Sequence, residues 1–400
     1  MKNWMIADLH IHSRFSRACS SNITFENLVK WAKVKGLNLL GTGDFTHPVW
    51  FEEIKKLTEK EGFYYYQDFP FIISGEVSLM YTQERGRRIH LVVLVPNLKI
   101  AEKINSYLDT KGRRDYDGRP IFKIPGDEFV KEMMKISTEI EIIPAHIWTP
   151  WFGVFGSSSG FDSLKECFKE HFENIHAIET GMSSDPEMNW KIKELEDKAI
   201  VSFSDAHSFW PFRLGREATI FEEADSYKEI ITQIRNRNFI ATIETDPAYG
   251  KYHFDGHRIC DFSCSPEETE KLKGTCPVCK KSLIIGVDNR VKILANKESN
   301  HKLKKQFYKI LPLHEIIALS TGTGMQSKKV WEIYNNLINE FGNEFNILLN
   351  VSREEFLNLN VEDKLIELIL RNRIGKIKVK PGYDGVYGEA QLGENQQKLP

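Results

Sequence analysis

Cysteine is scarce in this chain, with six among 400 residues. That is too few for a disulfide framework at this length, and the grouping of four of them in two close pairs suits metal binding in a reducing compartment. Long apolar runs are missing as well. None approaches the ~18 residues a membrane span needs, and no secretory h-region follows Met1, so an intracellular protein with no membrane partner is expected. Neither sign of charge is in excess: 54 Lys and Arg stand against 56 Asp and Glu, a formal net charge of -2. A bulk field announces no partner, and any nucleic-acid surface must be local. The length suits two or three domains with a sizeable core.

What is present begins with "MIADLHIHSRFS", residues 5 to 16. In an extended strand residues i and i+2 point to one side, so His10 and His12 face the same point in space. Such a pair can chelate a metal or simply sit on a strand surface, and this stretch alone leaves both readings open. The rest of the chain narrows them. Apolar, β-branched runs recur at "WMIADLHIH", "LNLLGTGDF", "FIISGEVSL", "RIHLVVLVP", "EIEIIPAHIW", "NIHAIETG" and "AIVSFSDAH", several separated by helix-like stretches such as "TFENLVKWAKVKG". This alternation predicts an α/β fold built on a parallel β/α barrel. Each run carries a candidate ligand: His10 and His12, Asp44, Glu76, His90, His146, Glu179, then Asp205 with His207. All but His90, which sits early in its run, lie at or near a C-terminal end, where barrel side chains converge in one cup. A lone strand-end Asp reads as a helix N-cap, and a lone buried His as a hydrogen-bonded core residue. Recurrence in every run points to metal instead. Mixed His and carboxylate donors suit Zn²⁺, Mn²⁺ or Fe²⁺ better than Mg²⁺, and clustered divalent ions activate water for attack at a phosphoryl centre.

The motifs "DLHIHS", "GTGDFTH", "GEVS", "PAHIW" and "SDAH" resemble those of the PHP (polymerase and histidinol phosphatase) superfamily. The longer string "PAHIWTPWFGVFGSSSGFDS", four paired cysteines and "PGYDGVYG" are similar to the endonuclease Q family of DNA repair nucleases from archaea and some bacteria, over essentially the whole chain. The resemblance implies a distorted seven-stranded β/α barrel with two or three divalent ions. One would lie on His10, His12, Glu76 and Asp205, and a second would share Glu76 with His90 and His146. A third would lie near Asp44, Glu179 and His207, with Glu76, Glu179, Asp205 and His207 serving catalysis. The chain departs from the pattern at Gly43-Asp44-Phe45, where many such proteins read Thr-Asp-His; His47 is displaced by two positions, and "SRFSRACSS" offers no His or Asp for the third ion. The resemblance also implies cleavage 5′ to a deaminated base (uracil, hypoxanthine or xanthine) or an abasic site. A small-molecule phosphoesterase like histidinol phosphatase is the alternative.

Cys260 and Cys264, then Cys276 and Cys279, form C-x3-C and C-x2-C pairs, the spacing of a closed structural zinc site. Cys19 and Cys167 fall outside it and read as buried residues. Residues 271 to 309 hold eleven Lys or Arg, among them Lys304 and Lys305, against Asp288 and Glu298. Beside a zinc module and Phe307 and Tyr308, this run suits nucleic-acid contact, a solvated face being the plainer reading. "HEIIALSTGTGMQSKKVWEIYNNLI" reads as helix, turn, helix, either a helix-hairpin-helix that meets a phosphate or a simple αα-hairpin. The glycines of "PGYDGVYG" allow close backbone approach to something.

The loop "WTPWFGVFGSSSGF" sets Trp148, Trp151, Phe152 and Phe155 among Gly and Ser directly after His146. They are expected to stack on or wedge beside an unpaired base, capping the barrel being the other reading. Arg213 and Arg216 follow the last ligand and could clamp phosphate oxygens or form surface ion pairs. Arg113, Arg114 and Arg119 lie on a candidate second DNA-contacting loop. Gln396 and Leu399 could start a sliding-clamp motif without its aromatic pair. The expected organisation is a barrel over 1–249, a zinc module over 250–299 and a helical DNA-binding region over 300–400, in a nucleoid-associated cytoplasmic enzyme whose partner is damaged DNA.

Overall fold

The computed structural model describes residues 4–296 and 299–391; Glu298 of the basic run and the Gln396–Leu399 motif lie outside them. Each of the seven apolar runs forms a strand: β1 (Trp4–Asp8), β2 (Leu39–Gly41), β3 (Phe69–Gln83), β4 (Arg85–Val95), β5 (Glu141–Pro144), β6 (Ala177–Glu179) and β7 (Ala199–Val201). The helix read at "TFENLVKWAKVKG" is α1 (Phe25–Lys35). Thr24 caps its first turn by accepting from the Asn27 N–H, and Gly36 ends it in the left-handed conformation.

The sheet is mixed, unlike the parallel barrel expected from the alternation. β1, β2 and β3 are parallel neighbours, but β4 runs antiparallel to β3 from Ile73 opposite Val95 to Gln83 opposite Arg85, and β5 runs antiparallel to β4. β6 and β7 form a separate parallel pair. On the other side, β1 continues antiparallel to β8 (Ala218–Glu222), then β9 (Ala241–Glu244), to which β10 (Gln306–Lys309) adds in parallel. Among the described residues no continuous ladder closes the ring. Single bonds past the strand ends connect it instead: Ile147 N–H to Glu179 O at 3.1 Å, Thr180 N–H to Val201 O at 3.0 Å, and His12 N–H to Ala206 O at 2.9 Å.

The reversal of β4 explains why His90 comes early in its run. In an antiparallel pair the start of one strand lies beside the end of the other, and His90 pairs with Ser78, two residues past Glu76. It therefore enters the same cup as the strand-end residues.

One buried core runs from Ile6 and Leu40 of the sheet to Ile316, Leu348 and Ile369 of the C-terminal helices α2 (Leu313–Thr321), α3 (Lys328–Phe341), α4 (Glu344–Leu349), α5 (Arg353–Asn358) and α6 (Asp363–Arg373). Within it Lys35 Nζ donates to Glu344 Oε1 at 2.7 Å and to Pro211 O at 2.8 Å, while Tyr334 donates to Glu344 Oε2. The segment 381–388 folds back on residues 248–261. Phe254 N–H donates to Gly382 O, Gly388 N–H to Tyr249 O, and the Tyr383 hydroxyl to Asp261. A Cβ on Gly388 would strike the Ala248 carbonyl, which is why glycine stands there.

Candidate metal centre

Backbone turns at the strand ends aim the donors inward. Asp44, His146 and Asp205 adopt φ of +45°, +30° and +49°, a left-handed conformation that non-glycine residues hold only where the surroundings fix it. Gly181 packs so closely on His146 that a Cβ would collide with it.

Two donor groups meet at Glu76. His10, His12, Glu76 and Asp205 offer atoms all within 4.8 Å of one another, and so do Glu76, His90 and His146. Oε2 of Glu76 faces the first group, 3.3 Å from His12 Nε2 and 3.6 Å from His10 Nε2. Oε1 faces the second, 2.7 Å from His90 Nδ1 and 3.1 Å from His146 Nε2. His10 Nε2 is buried without a hydrogen-bond partner. An orphaned imidazole nitrogen among carboxylates fits a cation. Burial opposes charging His10, yet Glu179, Asp205 and Glu76 outweigh it and hold the imidazole well above its ordinary value. Burial pushes His90 down to about 4, leaving it neutral, as a metal ligand must be. Burial also opposes ionising Glu76, but His90, Arg119 and His10 keep it well below the usual carboxylate range.

The third expected set, Asp44, Glu179 and His207, does not appear among the donor groups of the described residues. Asp44 Oδ1 accepts from His12 Nδ1 at 2.9 Å, and its Oδ2 accepts from Ser13 N–H at 2.6 Å and the Ser16 hydroxyl at 2.9 Å. Glu179 accepts from His10 Nδ1 at 2.8 Å and from His146 N–H at 2.7 Å. Both carboxylates are occupied in orienting ligand histidines, fixing which ring nitrogen points at the centre. His207 donates from Nδ1 to the Asp205 carbonyl at 2.9 Å, its ring 4.4 Å from that of His12.

A cavity of about 700 Å³ opens above these groups, with Trp151, Phe152 and Arg213 in its wall. The aromatic loop divides in two. Trp148 and Phe155 are buried, 4.9 Å apart, with the Trp148 N–H on Asn189 Oδ1. They are core residues, against the expectation of base contact for Trp148. Trp151 sits edge-on to Tyr252 at 5.4 Å, and Phe152 lies 4.4 Å from the His90 ring. Arg213 is exposed, whereas Arg216 is buried against Glu315 and Thr245. Arg216 Nη2 lacks a partner, so only part of its guanidinium is available to a phosphate. Lys304 lies over Trp190, and Lys305 lies over Phe239 beside Ala199 at the start of β7. That is the end of β7 opposite Asp205.

The zinc module regroups as well. His257 Nδ1 lies 3.1 Å from Cys260 Sγ and 3.3 Å from Cys279 Sγ, and these three residues with Cys276 form one donor group. Burial opposes ionising Cys276, but the Cys279 and Val278 amides and His257 bring its thiol down to about 6. Cys264 packs with Cys276 and Leu283 in the small core of the module, its Sγ on the Thr269 hydroxyl at 3.2 Å. In the hairpin of Asp255–His257 with Phe262–Cys264, Cys264 pairs opposite Asp255, two residues beyond His257, a displacement of ~7 Å along a strand. His257 thus joins Cys260, Cys276 and Cys279 as a candidate donor beside the four expected thiolates. The spacing His257-x2-Cys260, the same as Cys276-x2-Cys279, was the available signal.

Residues 312–376 match the family model described as the MJ0043 C-terminal domain. The chain is 34% identical over 249 residues to the uncharacterized protein MJ0043 of Methanocaldococcus jannaschii, covering 60% of this chain and 31% of that protein, so it spans about a third of that relative's length. It is 25% identical to the uncharacterized protein YqxK of Bacillus subtilis over 96% of this chain and 98% of that one. The fold is similar to the lesion-specific endonuclease PfuEndoQ of Pyrococcus furiosus, with a TM-score of 0.88, 31% identity, and 99% and 97% of the two chains covered. It is similar also to endonuclease Q in complex with a 27-mer duplex substrate carrying an abasic lesion at the active site, with a TM-score of 0.89, 30% identity, and 99% and 98% of the chains covered.

Proposed function

Given that the chain belongs to the endonuclease Q family and is a DNA-cleaving hydrolase, we propose that it cuts the phosphodiester 5′ to a deaminated base (uracil, hypoxanthine or xanthine) or an abasic site. The observation that carries this reading is Glu76, which presents one oxygen to each of two donor groups, of which His90, His146 and Asp205 line a cavity wide enough for a nucleotide. Two divalent ions, Zn²⁺, Mn²⁺ or Fe²⁺ rather than Mg²⁺, fit these donors. When bound they supply Lewis-acid charge and acidify water for attack at phosphorus. The chain's own residues hold and aim. Asp44 and Glu179 lock His12 and His10, Arg213 at the cavity wall offers a cation to a flanking phosphate, and Trp151 and Phe152 offer rings to a base displaced from its stack.

We read the incompletely laddered ring as a distorted PHP-like barrel. The Cys3His module and the C-terminal helices are read as the DNA-gripping parts, in a soluble enzyme of the nucleoid. Among the described residues no helix is long and apolar enough to cross a membrane.

Incubation with Mn²⁺ and, separately, uracil-containing, abasic and undamaged duplexes and a sugar phosphate tests the reading, with Glu76→Ala as the inactive control. Cleavage of the two lesion duplexes alone, sized to the bond 5′ of the lesion, is expected. Hydrolysis of the sugar phosphate without duplex cleavage would establish the phosphoesterase alternative.

A further inference from the structure

The nuclease reading of the cavity leaves one cation at the centre without a role. Arg119 reaches the metal donors from the loop "YDGRP". Its Nη1 donates to Glu76 Oε2 at 2.9 Å, the oxygen that faces the first donor group, and its side chain keeps 27% exposure toward the cavity. The neighbouring arginines do something else. Arg113 pairs with Asp115 at the surface, and the half-buried Arg114 pairs with Asp109 and donates to Thr46 O.

The loop is built onto the site. Gly118 N–H donates to Phe15 O at 3.1 Å, Thr46 donates to Gly118 O at 3.2 Å, Arg119 N–H to Asp117 Oδ1 at 3.2 Å, and Ser78 N–H to Pro120 O at 3.0 Å. Gly118 lies so close to Asp44, the carboxylate that orients His12, that a Cβ would strike it. The base of the Arg119 side chain is therefore fixed, and its partly exposed guanidinium is held by Glu76.

Glu76 Oε2 cannot serve Arg119 and a divalent cation equally. Two divalent ions carry more charge than one guanidinium and, once Glu76 is committed to them, repel it. An anion between Arg119 and those ions would offset that repulsion beyond what the nearby Asp205 and Asp117 carboxylates supply. A phosphodiester supplies that anion, and a planar guanidinium matches two of its oxygens at once.

Resting on the nuclease reading, we propose that Arg119 is a catalytic residue. It leaves Glu76 for the scissile phosphate and stabilises the charge that builds on the non-bridging oxygens during attack. In the hydrolysis the water oxygen bonds to phosphorus and one P–O ester bond breaks, its electron pair staying on the departing sugar oxygen. Water releases one proton to solvent and the departing oxygen takes one up. Arg119 exchanges none.

Three measurements on wild type, Arg119→Ala and Arg119→Lys test this. Calorimetry of chelator-treated protein without DNA is expected to show Mn²⁺ bound by Arg119→Ala no more weakly than by wild type, since a competitor for Glu76 is gone. Inorganic phosphate titrated into the Mn²⁺-loaded proteins is expected to bind Arg119→Ala at least about 10-fold more weakly. Single-turnover cleavage of an abasic duplex is expected to fall ~10²–10³-fold in Arg119→Ala, with part recovered by Arg119→Lys. Unchanged phosphate affinity and cleavage in Arg119→Ala would overturn the proposal. So would collapsed Mn²⁺ affinity, which would make Arg119 a prop for Glu76. If wild type cleaves no duplex while Arg119→Ala still loses phosphate, the nuclease reading fails and the phosphate assignment stands.

Discussion

Asp44 and Glu179 each hold a histidine by the ring nitrogen that faces away from the centre. An amide in place of Asp44 would present either an oxygen or an NH2 to His12 Nδ1, and the Ser13 and Ser16 donors already favour an acceptor. Asp44→Asn is therefore expected to weaken Mn²⁺ binding ~10–100-fold, with folding largely preserved; calorimetry of the metal-free protein reads it. Unchanged affinity would mean that His12 is held by packing alone. At the same scale, Trp151 is the half-exposed indole beside the cavity. Trp151→Ala is expected to slow cleavage of uracil opposite adenine more than that of an abasic site, because an absent base needs no help to leave the stack. Equal loss on both substrates would assign Trp151 to stability, and no loss on either would remove it from the mechanism. The donors themselves were legible in the sequence, because each run carries one, at or near its end in all but the run of His90. Which carboxylates touch the centre and which stand behind a histidine was not, since that depends on side-chain reach across residues far apart in the chain, such as His10 and Glu179. Arg119 was legible as one of three arginines on a candidate DNA-contacting loop but not as a partner of Glu76, for the same reason.

Elements explain the remaining differences. The apolar runs fix where strands form, but a run buried on both faces does not state its direction. The tight junction at Glu84 between β3 and β4 reverses the chain and carries His90 to the ligand end. The aromatic loop divides because Gly153, Gly156 and Gly160 pack against its own carbonyls, folding Trp148 and Phe155 into the core and leaving the residues between them at the cavity. In the zinc module the hairpin register decides. His257→Ala is expected to release bound zinc and lower the unfolding temperature, while Cys264→Ser keeps its zinc, because only the former removes a donor next to Cys260 and Cys279. Metal analysis of the two purified variants checks this, and the opposite order would establish the four-thiolate site.

Across the whole molecule, sheet and helices share one core, and two buried charge clusters lie within it. Lys35 with Glu344 joins α1 to α4. Glu217 and Glu244 meet among the hydroxyls of Ser202, Thr180 and Thr242. Burial pushes both of these carboxyls up, Glu244 to about 8, and Glu244 adds repulsion on Glu217. A carboxyl kept neutral in the fold does not oppose folding while the unfolded chain is also protonated. Once the unfolded chain ionises, it opposes folding more with each step of pH until the folded group ionises too. The unfolding temperature is therefore expected to fall between about pH 5 and 8. Glu217→Gln, which removes one of the two ionisable groups, should flatten that fall. Thermal melts across the window check it, and parallel slopes for the two proteins would show that the pair does not set the pH dependence.

The fold-back of residues 381–388 onto 248–261 has a consequence for synthesis. Tyr383 bonds Asp261 and the Asp384 carboxylate accepts from Arg258 N–H, contacts that join points more than a hundred residues apart. A ribosome delivers the earlier partner first. The hairpin around Cys260 must therefore wait, with part of its surface uncovered, while all five C-terminal helices are made, and it gains these neighbours only once residues 381–388 have emerged.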